Sequence, residues 1–378
     1  LATASIGLII HDYVAIRDLL GDDVKFRPAY DGIVELLGAQ GTPWGRFTEE
    51  QLVSAPAEQH KLLRGIFAAK FTPRFANQLR PMMRARIAHL LDQWAPSDSF
   101  DFEDFASYFP ISNMFSLIGA PVEGVALVRD SLETLGLALA MDKAKVPEIN
   151  AAYLTVESYI RQLIADRRAD PDAASKDDLL NIMIETSDSG RVSERELIDI
   201  LIFFFIGGYD TSKNMLTYTM WQLLDKPDMY ERCAQDLDYC GKVIEEALRH
   251  YNPGSIPRFT AQDVTYRDVT IPKDTLVYFT VNLAGRDAHA FDDPDSFDPE
   301  RVLSPTQRHV AFGLGKHMCL GQYIARAQMQ EGLHQIAQRL RHPRLVGTFD
   351  WRPFPGIWGL KGLPIAFEHQ PASTVVEA

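Results

Sequence analysis

From about Glu58 to Ser255, apolar residues return every three or four positions, the spacing of helices that bury one face. Between Arg258 and Asn282 the pattern changes to the short β-prone runs Val264-Thr265-Tyr266, Val269-Thr270-Ile271 and Val277–Thr280, the last two split by Pro272-Lys273-Asp274. A loop dense in Asp and Pro follows, Asp287 to Pro305. A final helix then starts near Cys319 and runs towards Leu340, and His369 to Ala378 reads as a frayed tail. The expectation is a mainly α protein with small β-sheets, the β-rich portion at about 258–282. Length alone suggests roughly two domains, but no linker or internal repeat divides the chain, and residues 1–378 are read as one compact unit.

The most informative helix begins at Ser193. Ser193-Glu194-Arg195-Glu196 forms a capping box, apolar residues continue to about Leu224, and Lys226-Pro227 supplies the stop. About 30 residues at ~1.5 Å each give a rod of ~45 Å, enough to cross a domain. Leu201 to Ile206 is apolar all round and implies burial. The centre then departs from helix chemistry: Gly207-Gly208-Tyr209-Asp210-Thr211-Ser212 places two glycines, an acid and two hydroxyls in the buried rod. Each Gly costs about 0.5–1 kcal/mol relative to Ala, and a buried acid costs more unless satisfied. Thr211 stands four residues after Gly207, so its hydroxyl can bond that carbonyl and bend the helix. A kink or close helix crossing is one reading; a groove where a small ligand meets proton-delivering groups is the other.

Composition narrows the setting. Apolar residues at 46% and charged residues at 24% are ordinary for a globular chain. A formal net charge of −13 argues against wholesale binding to nucleic acid or to an anionic membrane surface. The longest apolar run, Ile200 to Gly208, falls far short of the roughly 20 residues of a membrane span. The chain opens on Leu1 without a basic-then-apolar leader and is read as a trimmed soluble protein. Three cysteines, Cys233, Cys240 and Cys319, do not make a disulfide framework and fit a reducing cytoplasm.

The strongest chemical signal is Phe312-Gly313-Leu314-Gly315-Lys316-His317-Met318-Cys319-Leu320-Gly321. Glycines permit a tight turn and close approach to a flat ligand. A cysteine at the start of a helix has its thiolate stabilised by free amides and the helix dipole. Other readings compete. A lone cysteine is usually a small core residue. Gly315-Lys316 is a poor phosphate loop, with His317 where Ser or Thr is needed. A zinc site wants more Cys or His nearby, and a nucleophilic cysteine enzyme stays open.

The order of these residues resembles the heme-binding signature of the cytochrome P450 family, Phe-Gly-x-Gly-x-His-x-Cys-x-Gly, at every specified position. The resemblance implies a P450-type fold with heme b between the long central helix and the cysteine loop. Cys319 is then the axial iron ligand, and Phe312, Gly313, His317 and Gly321 belong to the heme loop. Thiolate ligation of this kind favours O–O cleavage. Glu246-Ala247-Leu248-Arg249 is similar to the family's Glu-x-x-Arg motif and Phe297 to Arg301 to its second-Arg segment, which makes Glu246, Arg249 and Arg301 a structural triad. Gly207 to Thr211 resembles the distal-helix Gly-Gly-x-Asp-Thr, so Asp210 and Thr211 would direct protons to dioxygen and Gly208 would make room for it. His60 and Arg64, with Arg258 and His317, stand at positions of propionate partners. The chain start departs from the pattern: a helix and first strand usually precede Ile9, so the N-terminus is read as truncated. Ala284-Gly285-Arg286-Asp287 also departs, with Gly285 where Asn is commoner.

Between His60 and Arg86 lie Lys61, Arg64, Lys70, Arg74, Arg80, Arg84 and Arg86 with no acid among them. The family's electron donor approaches this side. The implied partner is therefore an acidic ferredoxin on Lys61, Lys70, Arg74, Arg80 and Arg84, carrying electrons from NAD(P)H. Positions matching pocket segments are Phe204, Phe205, Gly208, Ser255, Ile256, Ile357 and Trp358, with Trp44 a further candidate. Their apolar character predicts a small-to-medium hydrophobic substrate. Tyr30 to Ala57 and Val122 to Arg168 are expected to form the lid, and a monomer is expected. The rival functions are a peroxide-driven heme-thiolate enzyme and a heme-binding sensor without turnover.

Overall fold

The computed structural model describes residues 2–4, 7–304 and 306–371. Its axis is the helix Glu194–Leu224. The Glu196 amide donates to the Ser193 hydroxyl while the Ser193 amide donates to the Glu196 carboxylate, so the predicted capping box closes. Helices Phe102–Ile118, Val125–Gly136, Val146–Ala169 and Gln322–Arg339 pack around this rod, and Pro73–Trp94 packs on Gln322–Arg339. The apolar stretch is buried for that reason. Phe205 meets Phe115 at a ring separation of 4.7 Å, and Phe204 meets Phe67 at 4.8 Å. Burying each such ring is worth about 1.5–3 kcal/mol.

The β structure is more widely spread than the 258–282 expected. A five-stranded sheet runs in the order Ala2–Ala4, Gly7–Ile10, Leu276–Phe279, Ile256–Thr260, Phe26–Pro28. Gly7–Ile10 pairs parallel to Leu276–Phe279, and the other pairings are antiparallel. The β-prone runs Val264–Tyr266 and Val269–Ile271 pair with each other as an antiparallel hairpin. A three-stranded sheet joins Ser99–Asp101, Pro364–His369 and Leu340–Leu345, and Asp350–Trp351 pairs with Leu360–Lys361. These extra strands are short, and alternation over so few residues cannot be separated from loop in the sequence. His369, expected in a tail, pairs with Leu340. The remainder of that tail from 372, and Pro305, lie outside the described residues. No helix among the described residues is long and apolar enough to cross a membrane.

Candidate active site

The cysteine loop folds around two glycines with positive φ, Gly313 at 70° and Gly315 at 69°. This backbone region strains L side chains. The Cys319 amide donates to the Phe312 carbonyl at 2.8 Å, pinning the two ends of the loop together. The helix Gln322–Arg339 starts three residues later. Cys319 is exposed to a cavity rather than to bulk solvent. Burial raises its thiol pKa, against the pull of the Gly321 and Gln322 amides and of Arg64 and Arg326. A bound metal cation reverses that balance, because coordination deprotonates a thiol.

The cavity measures about 350 Å³ and lies between the long helix and the cysteine loop. Gly207, Gly208, Thr211, Ile256, Phe312 and Cys319 are among its walls. On one side four basic side chains come together. The His60 and His317 rings sit 4.3 Å apart, and Arg64 donates to the Met318 carbonyl beside them. Arg258 is buried next to His317. Burial and the nearby Arg258 press the His317 pKa down to about 4, and burial lowers His60 and Arg258 too. Arg258 Nε and His317 Nδ1 are buried and have no hydrogen-bond partner among the described residues. Arg258 Nε is an unpaired buried donor, which is costly, and an anionic ligand edge would relieve it. A heme, with anionic propionates at one edge and an iron that accepts a thiolate ligand, fits the basic side chains and Cys319.

On the opposite wall Thr211 Oγ1 donates to the Gly207 carbonyl at 3.0 Å, the bond its spacing implies. Thr211 faces the cavity; Asp210 does not line it. The Asp210 carboxylate is fully buried and gripped by Arg352 Nη1 at 2.8 and 2.7 Å, with Asn214 Nδ2 at 2.9 Å. Arg352 also pairs with Glu133, which accepts from Tyr209 at 2.8 Å and Lys213 at 2.6 Å. Space beside Gly208 is occupied by Met114: a Cβ added there would lie 1.9 Å from its methyl carbon.

Behind the cysteine loop, Glu246, Arg249 and Arg301 meet as expected. Arg249 Nε and Nη2 reach Glu246 at 2.8 and 2.6 Å, and Arg301 Nε lies 3.4 Å from the same carboxylate. Arg249 also holds the carbonyls of Pro294 and Ser296 at 2.9 Å each, which fixes the following loop. This geometry explains Gly285: a Cβ there would stand 1.8 Å from the Arg249 carbonyl oxygen.

Of the residues assigned to a substrate pocket, Gly208 and Ile256 line the cavity. Phe204, Phe205, Ser255, Ile357, Trp358 and Trp44 are not among its walls. Phe204, Phe205 and Trp44 are core residues. The walls instead include Met82, Met83, Met114, Asn113 and Gln328, none of which carried a sequence signal. Nor did Arg352 and Glu133, which reach Asp210 from distant parts of the chain.

Comparison with known proteins agrees with this geometry. The family model described as Cytochrome P450 matches residues 141–346. Luteothin monooxygenase of Streptomyces thioluteus is 29% identical over 97% of this chain and 90% of its own length. Cytochrome P450 107B1 of Saccharopolyspora erythraea is 32% identical over 83% of this chain and 76% of its own. Among solved structures, the cytochrome P450 enzyme CxnD for C–S bond formation in chuangxinmycin biosynthesis superposes with a TM-score of 0.85 at 28% identity, covering 96% of this chain and 89% of that one. The chain belongs to the cytochrome P450 family, whose cofactor is heme, and is an oxidoreductase of the monooxygenase type.

Proposed function

We propose that this protein inserts one atom of dioxygen into a small-to-medium hydrophobic organic substrate. Electrons come from NAD(P)H through a ferredoxin reductase and a ferredoxin, and the protein works in the cytoplasm as a single-domain monomer. The observation that carries this reading is Cys319 facing a largely apolar cavity that His317 also lines, with the unpaired Nε of the buried Arg258 next to His317. Heme supplies the redox-active iron at which dioxygen is activated; the remaining work falls to this chain's residues. Cys319 would ligate the iron as thiolate. His60, Arg64, Arg258 and His317 hold the propionates. Thr211 would present its hydroxyl to the cavity, and Asp210 would set the charge behind it.

The contacts of these cations refine the docking face. Lys70 pairs with Asp177 at 2.6 Å, and Arg80 pairs with the buried Glu331 at 3.0 Å and Gln330 at 2.8 Å. Arg84 lies 3.5 Å from the same Glu331. Lys61 and Arg74 are exposed and have no ion-pair partner among the described residues, so they are the freest cations for an acidic ferredoxin. Complementary charge there speeds encounter.

Isotopically labelled dioxygen, with NAD(P)H, a ferredoxin reductase and a ferredoxin, tests the reaction. Label in the product is the expected result. Product formed with peroxide alone and never with the electron chain favours the peroxide-driven enzyme. Heme binding without product from any hydrophobic compound favours the sensor.

A further inference from the structure

An aromatic cluster that no step above uses runs from the cavity wall to the surface. Tyr218 lies one helical turn after Met215, and Tyr251 lies beside Asn252; Met215 and Asn252 both line the cavity. The Tyr218 and Tyr251 rings stack at 4.0 Å with an interplanar angle of 16°. Outward from Tyr218 come Trp221 at 5.6 Å and then Trp351 at 5.7 Å, and Trp351 is 40% exposed. Trp358 closes a second path, 5.3 Å from Tyr251 and 5.0 Å from Trp351.

Aromatic clusters ordinarily just fill cores, but two features here go beyond packing. The Tyr218 hydroxyl is 2.5 Å from His250 Nδ1, and His250 Nε2 is 3.0 Å from the Asp295 carbonyl. A carbonyl only accepts, so Nε2 carries the proton and Nδ1 is free to accept from the phenol. Burial lowers the His250 pKa and keeps the ring neutral in that role. Tyr251, by contrast, has a buried hydroxyl with no partner among the described residues, which costs stability and gives no packing benefit over Phe. Of the two stacked tyrosines, Tyr218 is the one that has a base.

We propose that Tyr218, Trp221 and Trp351 form a one-electron relay between the heme site and the surface, an escape path for oxidising equivalents that no substrate consumes. The relay rests on the heme reading above. With hydrogen peroxide as oxidant and ascorbate as outer reductant, the balance closes. Peroxide takes two electrons and two protons and gives two water molecules. Each electron leaves Tyr218 as its phenolic proton moves to His250 Nδ1. Trp221 refills Tyr218, which recovers that proton, and Trp351 refills Trp221. Ascorbate refills Trp351 and releases one proton per electron, which supplies the two that peroxide requires.

The test uses heme-loaded protein whose reduced, carbon monoxide-bound spectrum shows thiolate ligation. Peroxide is added without substrate in the presence of a nitroso spin trap, and adducts are mapped by peptide mass spectrometry. The expected adduct lies on Trp351 and not on the half-buried Trp94, which is outside the cluster. Tyr218→Phe keeps the ring packing and is expected to abolish the Trp351 adduct while heme bleaches faster. Trp351→Phe should move the adduct inward to Trp221 or Tyr218. Equal labelling of Trp351 in Tyr218→Phe or in heme-free protein, labelling of Trp94 to the same extent, or no adduct on any relay residue overturns the relay with the heme reading intact. A spectrum without thiolate ligation overturns both.

Discussion

Arg352→Ala is the most informative perturbation of the distal site, because Arg352 is what holds Asp210 in place. In the wild type the Arg352 and Asp210 side chains are 3% and 1% exposed. Remove the guanidinium and Asp210 keeps only the Asn214 amide at 2.9 Å and Lys213 at 3.5 Å. Lys213 is already engaged by Glu103 and Glu133 at 2.6 Å each, so three carboxylates are left sharing one ammonium. Breaking a buried pair by removing one partner costs about 3–5 kcal/mol, which for a chain this long lowers the melting temperature by roughly 4–6 °C. Asp210→Asn in the same background should recover part of the loss, since the two effects share one interaction. The pH dependence has a definite sign. Glu133 is desolvated by burial, but Lys213 and Arg352 more than offset this and hold its pKa at about 2, below its ordinary 4.5. A carboxylate lowered on folding stabilises the fold above its ordinary pKa, and that contribution fades as pH falls towards 2. Without Arg352 the Glu133 pKa rises and acid unfolding begins at higher pH. Thermal and denaturant melts at pH 7 and across the acid range measure both effects. A loss under about 1 kcal/mol, no larger than an exposed pair is worth, with an unchanged acid transition, would refute the argument.

Other predictions follow from single contacts. Gly285→Ala should destabilise the fold by about 1–3 kcal/mol, because its new methyl meets backbone that cannot turn away; a melting curve equal to wild type contradicts this. Arg74→Glu should slow reduction by ferredoxin and weaken its salt dependence without changing the melting temperature. Arg80→Ala should instead lower stability, because the buried Glu331 keeps only the longer 3.5 Å contact to Arg84 among the described residues, and stopped-flow reduction beside thermal melts separates the two. Thr211→Ala should keep the heme spectrum but yield less product per NAD(P)H consumed; full coupling would remove Thr211 from proton delivery.

The sequence made the local features legible and left the long-range ones hidden. The long helix, its capping box, the Thr211-to-Gly207 bond and the glycine turns around Cys319 all depend on residues within a few positions of one another. The resemblance then supplied the order in which Glu246, Arg249 and Arg301 would meet. What stayed hidden needed the tertiary fold. Arg352 follows Asp210 by 142 residues, and nothing near it marks it as that carboxylate's partner. Phe204 and Phe205 looked like pocket walls because apolar helix positions read alike whether they face a cavity or a neighbouring helix; here they face Phe67 and Phe115. The strands outside 258–282 are too short for their alternation to show. Gly285 is required by the Arg249 backbone packed against it, a contact that no local pattern marks.

The most direct test of the central claim is the absorption spectrum of the reduced protein under carbon monoxide, taken for wild type and for Cys319→Ala. The account predicts a strongly red-shifted Soret band in the wild type and its loss in the variant. A histidine-type band in the wild type, or no heme uptake after reconstitution, would contradict it.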